Sequence, residues 1–137
     1  MTTADPTSRA TATFRLEAAR SAGFSLAVPG TEYVLELAAA GPTGVPVGKR
    51  VRGTVSGRAL KMHRASAGGE FIEPVEGHPR IVQGRIREVD PASNRVLLQA
   101  VFPMWIECST GQSARDFAAG DIVNFHVESG VRFAPEA

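Results

Sequence analysis

Gly48-Lys-Arg-Val-Arg-Gly-Thr-Val-Ser-Gly-Arg-Ala-Leu-Lys-Met-His-Arg-Ala65 is the stretch that decides the fold class. Small or apolar residues occupy the odd positions from Val51 to Ala59, and Arg, Thr and Ser occupy the even positions between them. This period of two is typical of a β-strand with one buried face. Leu60 and Met62 then place large apolar side chains on even positions, so the strand exchanges its faces. We expect a bulge or a sharp bend at Gly57, because glycine allows the backbone geometry that this exchange needs.

The same alternation recurs on both sides of this strand. Further strands are predicted over residues 31–37, 70–74, 81–89, 95–102, 120–128 and 131–133. Turn-forming residues separate them, as in Asp90-Pro-Ala-Ser-Asn94, and Pro103 is expected to end the strand before it. Residues 112–118 allow one or two helical turns. The pattern therefore predicts an all-β protein with one short helical connection.

The first thirty residues show a weaker pattern of apolar and polar residues than the rest of the chain. Residues 1–30 are predicted to be a flexible or partly helical N-terminal extension, and residues 31–137 a single β-barrel domain. Residues 12–21 fit a short helix that Gly23 would end. Thr11–Leu16 also alternates like a strand, so both alternatives stay open at this point.

The order of these elements carries a resemblance. A long bent strand is followed by a hairpin, a short helical connection and a strand opened by Gly120-Asp121. Phe117-Ala-Ala-Gly-Asp-Ile-Val-Asn-Phe125 is similar to the F-x-x-G-D-x-V phrase that often introduces a late barrel strand. Residues 48–133 thus resemble the OB-fold and its small-barrel relatives. The resemblance implies a small closed or partly open OB-like barrel, a fold that hosts many unrelated functions.

Composition narrows the class of protein. The 137 residues carry a net charge of +1 and are 43% hydrophobic, as in an ordinary globular protein. Cys108 is the single cysteine, so neither an intrachain disulfide nor a thiolate metal cluster can form. No signal-peptide pattern opens the chain, and no apolar run approaches the roughly 20 residues that span a bilayer. We expect a soluble, cytoplasmic protein without membrane association.

Positive charge concentrates in the middle of the chain. Residues 49–95 hold ten Lys or Arg against five Asp or Glu. The strand over residues 81–89 is expected to pair with the long strand over residues 48–65. The cations on the polar faces of these two strands form a candidate nucleic-acid-binding set, the strand-face cations, which are Arg50, Arg52, Arg58, Lys61, Arg85 and Arg87. Such a face can track a phosphate backbone and release counterions, with Phe71 and Trp105 as stacking candidates. The competing interpretation is a solvated face paired with carboxylates, namely Glu70, Glu73, Glu76 and Glu88.

A second candidate surface follows Pro103. Its apolar residues can plug the end of a barrel or form an exposed patch for a partner; they are Met104, Trp105 and Ile106. The three histidines belong to no spaced metal-ligand motif; they are His63, His78 and His126. The sequence places no general base next to Cys108, and a single cysteine after an apolar run is typically a small core residue. We therefore expect no metal, no cofactor and no catalytic residue.

Three classes of function are compatible with the sequence. We prefer a noncatalytic module that binds single-stranded nucleic acid or another polyanion through the strand-face cations, since it uses the chain's one charge asymmetry. The alternative is a protein-interaction or self-assembly module, including a homo-oligomer, with no nucleic-acid role. The third class, an enzyme whose site is assembled from distant loops, has no catalytic constellation behind it.

Overall fold

Strands make up most of this computed structural model, which describes residues 9–136. In that range the strands are β1 Thr11–Ala19, β2 Gly23–Ala27, β3 Val34–Ala39, β4 Arg50–Arg64, β5 Phe71–Glu73, β6 Glu76–Gly77, β7 Ile81–Asp90, β8 Arg95–Ala100, β9 Phe102–Glu107, β10 Ile122–Val127 and β11 Arg132–Pro135. The predicted helical connection is a single 3-10 turn, Ala114–Asp116, capped by Ser113. The predicted all-β class is confirmed.

Hydrogen bonds between the strands close two rings that share β4. The first ring runs β1-β2-β3-β11-β4 and returns to β1, and the second runs β4-β10-β7-β8-β9 and returns to β4. Residues 50–56 of β4 pair with β1 and β11, and residues 56–64 pair with β9 and β10. Ser56 marks the junction, because it pairs with Arg132 of β11 on one side and Trp105 of β9 on the other.

The N-terminal segment belongs to the first ring. β1 pairs with β4 from Thr11 to Arg15, and β2 pairs with β3 across the predicted boundary at residue 30. Phe14 and Leu16 are buried, which is what the strand alternative requires. The expected helix over residues 12–21 is therefore wrong, because burying alternate residues in the sheet outweighs the weak helical pattern. Residues 1–8 of the predicted extension lie outside the described residues.

The face exchange in β4 takes place at Leu60. The register against β10 shifts between His126 and Val127, which leaves Leu60 as the extra residue of a bulge. Leu60 is 54% exposed, whereas Met62 is 2% exposed. The expected bulge at Gly57 and the inward Leu60 are both wrong. Gly57 instead allows close packing, because a Cβ there would lie 3.2 Å from the side chain of Val127.

The predicted strand over residues 95–102 is a tight hairpin. β8 ends at Ala100, Val101 has a φ of 69°, and β9 begins at Phe102. Pro103 lies inside β9, opposite Gln99, and does not end a strand as expected. A β-branched residue at positive φ is unusual, and both arms of the hairpin are apolar. The sequence therefore carries no turn signal at this position.

One hydrophobic core runs through both rings. Phe14 of β1 meets Phe102 of β9 edge to face, with 4.9 Å between ring centroids, and Phe133 of β11 at 5.3 Å. These contacts join the interior of the first ring to that of the second. Alternate residues of β10 are also buried in this core; they are Val123, Phe125 and Val127.

Candidate ligand-binding groove

The structure distributes the strand-face cations over both rings. Arg50 and Arg52 lie on the first-ring part of β4, whereas Arg58 and Lys61 lie on its second-ring part. Arg85 and Arg87 lie on β7, the strand that was expected to pair with β4. That expectation is wrong, because β10 lies between the two strands. The six cations therefore do not share one face of two adjacent strands.

Several of these cations bind protein groups. Arg52 lies 3.9 Å from a carboxylate oxygen of Glu136, and Arg85 donates to the Gly120 carbonyl at 3.0 Å. Arg87 donates to the Gln99 side chain at 3.4 Å. Of the four carboxylates named for a solvated face, none forms an ion pair with a strand-face cation in the described part of the chain. Glu88 binds Arg9 at 2.6 Å instead. Exposed pairs of this kind contribute about 0–1 kcal/mol, so they lower the local field without locking the side chains.

A groove opens where the two rings meet. It has a volume of about 310 Å³ and is lined by residues 56–58 of β4, 105 and 107 of β9, 128–130 between β10 and β11, Arg95 and Arg132. We call it the junction groove. Of the strand-face cations, only Arg58 lines it. The groove brings together segments that are up to 76 positions apart, as in the hydrogen bond from Arg132 to Ser56.

Trp105 forms the aromatic wall of the junction groove. The alternation of β9 buries Met104 and Ile106 in the core and leaves Trp105 half-buried on the outer side. The predicted partner patch is therefore not a continuous exposed surface. The guanidinium of Arg95 lies 4.0 Å from the Trp105 ring centroid, an attractive arrangement for a cation over an indole face. Phe71, the other stacking candidate, lies on β5 and does not line this groove.

Arg58 occupies the floor of the junction groove between two carboxylates. Its Nη1 lies 3.4 Å from Oε1 of Glu107, and its Nε lies 3.3 Å from Oε2 of Glu128. Its Nη2 also donates to the hydroxyl of Thr110 at 3.0 Å. The side chain is 42% exposed, so water screens both ion pairs. The network orients the guanidinium and holds the loop after β10 against β4.

Arg132 is the groove cation with the fewest competing contacts. Its Nε donates to the Ser56 hydroxyl at 3.3 Å, and no carboxylate within residues 9–136 forms an ion pair with it. The nearby Ser129 and Gly130 add a hydroxyl and an open stretch of backbone. The junction groove thus carries three arginines against two glutamates. Because Asp90 pairs with Arg95, Arg132 is the groove cation that has no carboxylate partner among the described residues, and it is the group that attracts an anionic ligand.

Cys108 follows β9 and is buried in the core beside Glu107. Burial raises the pKa of the Cys108 thiol, and the charges of Asp116 and Glu107 raise it further. A raised pKa leaves little thiolate at neutral pH, which is the opposite of an activated nucleophile. Cys108 is 2% exposed, so the prediction of a small core residue is confirmed.

Sequence reasoning named Arg58 and Trp105 but missed Arg95 and Arg132. These four residues lie on four different strands, β4, β9, β8 and β11. These four side chains lie close together because the parallel pairing of β9 with β4 closes the second ring. The one local signal was Gly57 at the middle of the long strand, a residue that marks close backbone approach.

Among residues 9–136, no three His, Cys, Asp or Glu side chains group closely enough to hold a metal ion. No helix in the same range is long and apolar enough to cross a bilayer. The chain matches no protein-family model, no curated protein and no solved structure.

Proposed function

We propose that this protein is a noncatalytic module that binds single-stranded nucleic acid, with the junction groove at the centre of the interface. The observation that carries the proposal is Trp105 beside three arginines on one concave surface. Binders of single strands combine a basic groove for the backbone with aromatic side chains for the bases. The groove offers both at the point where the two rings meet.

Each component of the groove has a role in this proposal. The exposed Arg132 binds a phosphate, since its present partner is a neutral hydroxyl. A base stacks on the layered pair of Trp105 and Arg95, because both indole and guanidinium planes accept bases. Arg95 keeps its ion pair with Asp90, at 3.3 Å, so its plane is held in position. Recognition of this kind tolerates different bases, since every base offers a flat face.

The OB-like barrel is part of the same proposal. It is supported by the closed pairing of five strands in each ring and by the long strand that both rings share. In OB-type barrels, ligands bind against the strands and the loops beside them. The junction groove has this composition, with strand residues on three sides and the loop 128–130 on the fourth.

Fluorescence anisotropy with short labelled single-stranded DNA and RNA tests the proposal. We expect micromolar binding that weakens with salt, because each phosphate contact to a single strand adds about −0.7 to the salt slope. Arg132→Ala should weaken binding to every sequence and reduce that slope. Arg50→Ala is the matched control, since Arg50 lies six residues from Ser56 on β4, or about 20 Å at the rise of a strand.

A double variant distinguishes binding in the junction groove from binding on the strand face. Arg52→Ala with Arg85→Ala removes two strand-face cations and leaves the lining of the junction groove intact. We expect this variant to bind almost as well as the wild type. Loss of binding here, with Arg132→Ala unaffected, would place the interface on the strand face. No binding at low salt by the wild type would exclude a nucleic-acid role altogether.

A protein-interaction or self-assembly module is the second candidate. The exposed Leu60 at the β4 bulge favours it, since a large apolar side chain on a surface is available to a partner. Sedimentation velocity distinguishes the two functions. A profile that changes with protein concentration and ignores oligonucleotide would favour self-assembly.

A further inference from the structure

A second pocket lies directly behind the loop that borders the junction groove. Its volume is about 280 Å³, and it is lined by residues of β10 and the segment before β7, among them His78, Arg80 and His126. We call it the histidine cleft. It shares the lining residues Ser129 and Gly130 with the junction groove, so the two pockets meet at this loop.

The histidine cleft combines two imidazoles, one arginine and the carboxylate of Glu36, which is paired with Arg20 at 3.2 Å. Two exposed imidazole rings, those of His78 and His126, offer planes on which bases stack. Arg80 is exposed, and within the described residues its side chain takes part in no ion pair. Each pocket therefore combines planar rings with an arginine that is available to a phosphate.

The two pockets are also close together along the shared strand. Arg58 lines the junction groove and Leu60 lines the histidine cleft. Two residues of an extended strand span about 7 Å. Stacked bases along one nucleic-acid strand are spaced by about 3.4 Å, so a ligand of two or three nucleotides covers this distance.

We propose that the histidine cleft is a second nucleotide subsite, and that one single strand occupies both pockets by crossing the loop at Ser129 and Gly130. The inference rests on the proposed function, because it assigns a path to the same ligand. A mononucleotide fills one pocket, and a strand of three nucleotides or more fills both.

A length series tests the subsite. Unlabelled deoxythymidine 5′-phosphates of one to six nucleotides compete against a labelled oligonucleotide, and anisotropy gives the affinity of each length. For the wild type we expect affinity to rise about tenfold or more between one and three nucleotides, since each further nucleotide adds a stacked base and a phosphate contact. Arg80→Ala with His126→Ala should leave the mononucleotide unchanged and remove most of that gain. His63→Ala is the matched control, because His63 is exposed on β4 and lies outside the cleft.

The outcomes separate the two claims. If the double variant keeps the full gain with length, the subsite is wrong while the junction groove stands. If no length competes and the labelled oligonucleotide does not bind at low salt, the proposed function itself fails. If only the control His63→Ala loses affinity, the path runs along the far end of β4 and not across the loop.

Discussion

Gly53 shows at the scale of one residue how closely three strands approach. It pairs with Ala12 of β1 and Pro135 of β11, and a Cβ there would lie 2.7 Å from the ring of Phe133. Gly53→Ala should therefore lower the free energy of unfolding by about 1–3 kcal/mol, as overpacking does. Gly44→Ala is the matched control, since nothing lies within 4 Å of its added Cβ. Urea denaturation measures both variants, and equal stability would contradict the close approach.

Asp90 gives a pH-dependent test at the same scale. The Ser93 hydroxyl donates to its Oδ2 at 2.6 Å and, with Arg95, holds the pKa of this carboxyl below its ordinary value of 3.8. A depressed pKa stabilises the folded state above the unfolded pKa, and this stabilisation is lost as pH falls through the folded pKa. Ser93→Ala should raise the pKa of Asp90, as measured by NMR titration. An unchanged pKa would show that the hydroxyl does not stabilise the carboxylate.

At the scale of elements, β1 is the strand whose role differs most from expectation. Phe14 is fully buried and contacts the rings of Phe102 and Phe133. Phe14→Ala should cost about 3–5 kcal/mol of stability, and the milder Phe14→Leu should cost less. Arg15→Ala, at an exposed position next to it, should stay within about 0.5 kcal/mol of the wild type. Thermal unfolding measures all three. A tolerated Phe14→Ala would mean that β1 is dispensable, as a flexible extension would be.

The elements that could be predicted from the sequence are those with one buried and one solvated face. β4, β7 and β10 show this alternation, and their positions were predicted to within a few residues. β8 and β9 are apolar on both faces, so the alternation of apolar and polar residues did not indicate the hairpin at Val101. Gln83 is polar but buried, because residues 67–69 cover it and the carbonyls of Ala67 and Gly69 accept hydrogen bonds from its side chain. Such coverage depends on tertiary contacts that local alternation does not encode.

At the scale of the whole molecule, the junction groove exists because both rings share one strand. Trp105 reaches Ser56 only through the parallel pairing of β9 with β4, a contact between segments 49 positions apart. Arg132 reaches the same residue from β11. Spacing in the sequence gives no sign of either pairing. The charge excess of residues 49–95 was visible, but the arginines that converge are Arg58, Arg95 and Arg132.

The two groove carboxylates offer a prediction that increases binding. Glu107 and Glu128 neutralise Arg58, and they also repel an incoming phosphate. Glu107→Gln with Glu128→Gln should raise the affinity for a single-stranded oligonucleotide several-fold and steepen its salt dependence. Glu32→Gln with Glu76→Gln, two exposed substitutions outside the groove, makes the same change in net charge and is the matched control. Anisotropy at two salt concentrations measures the effect, and equal gains in both variants would indicate a field effect of the whole protein.

Trp105 is the only tryptophan of the chain, so its fluorescence reports the occupancy of the junction groove without any label. The decisive measurement is the emission of Trp105 while an unlabelled single-stranded oligonucleotide is added at low salt. We predict quenching with a micromolar midpoint, reversed by added salt, because a base stacks at the indole while phosphates are bound by arginines. Unchanged emission at concentrations where anisotropy shows bound oligonucleotide would contradict the account, since the ligand would then bind away from the groove.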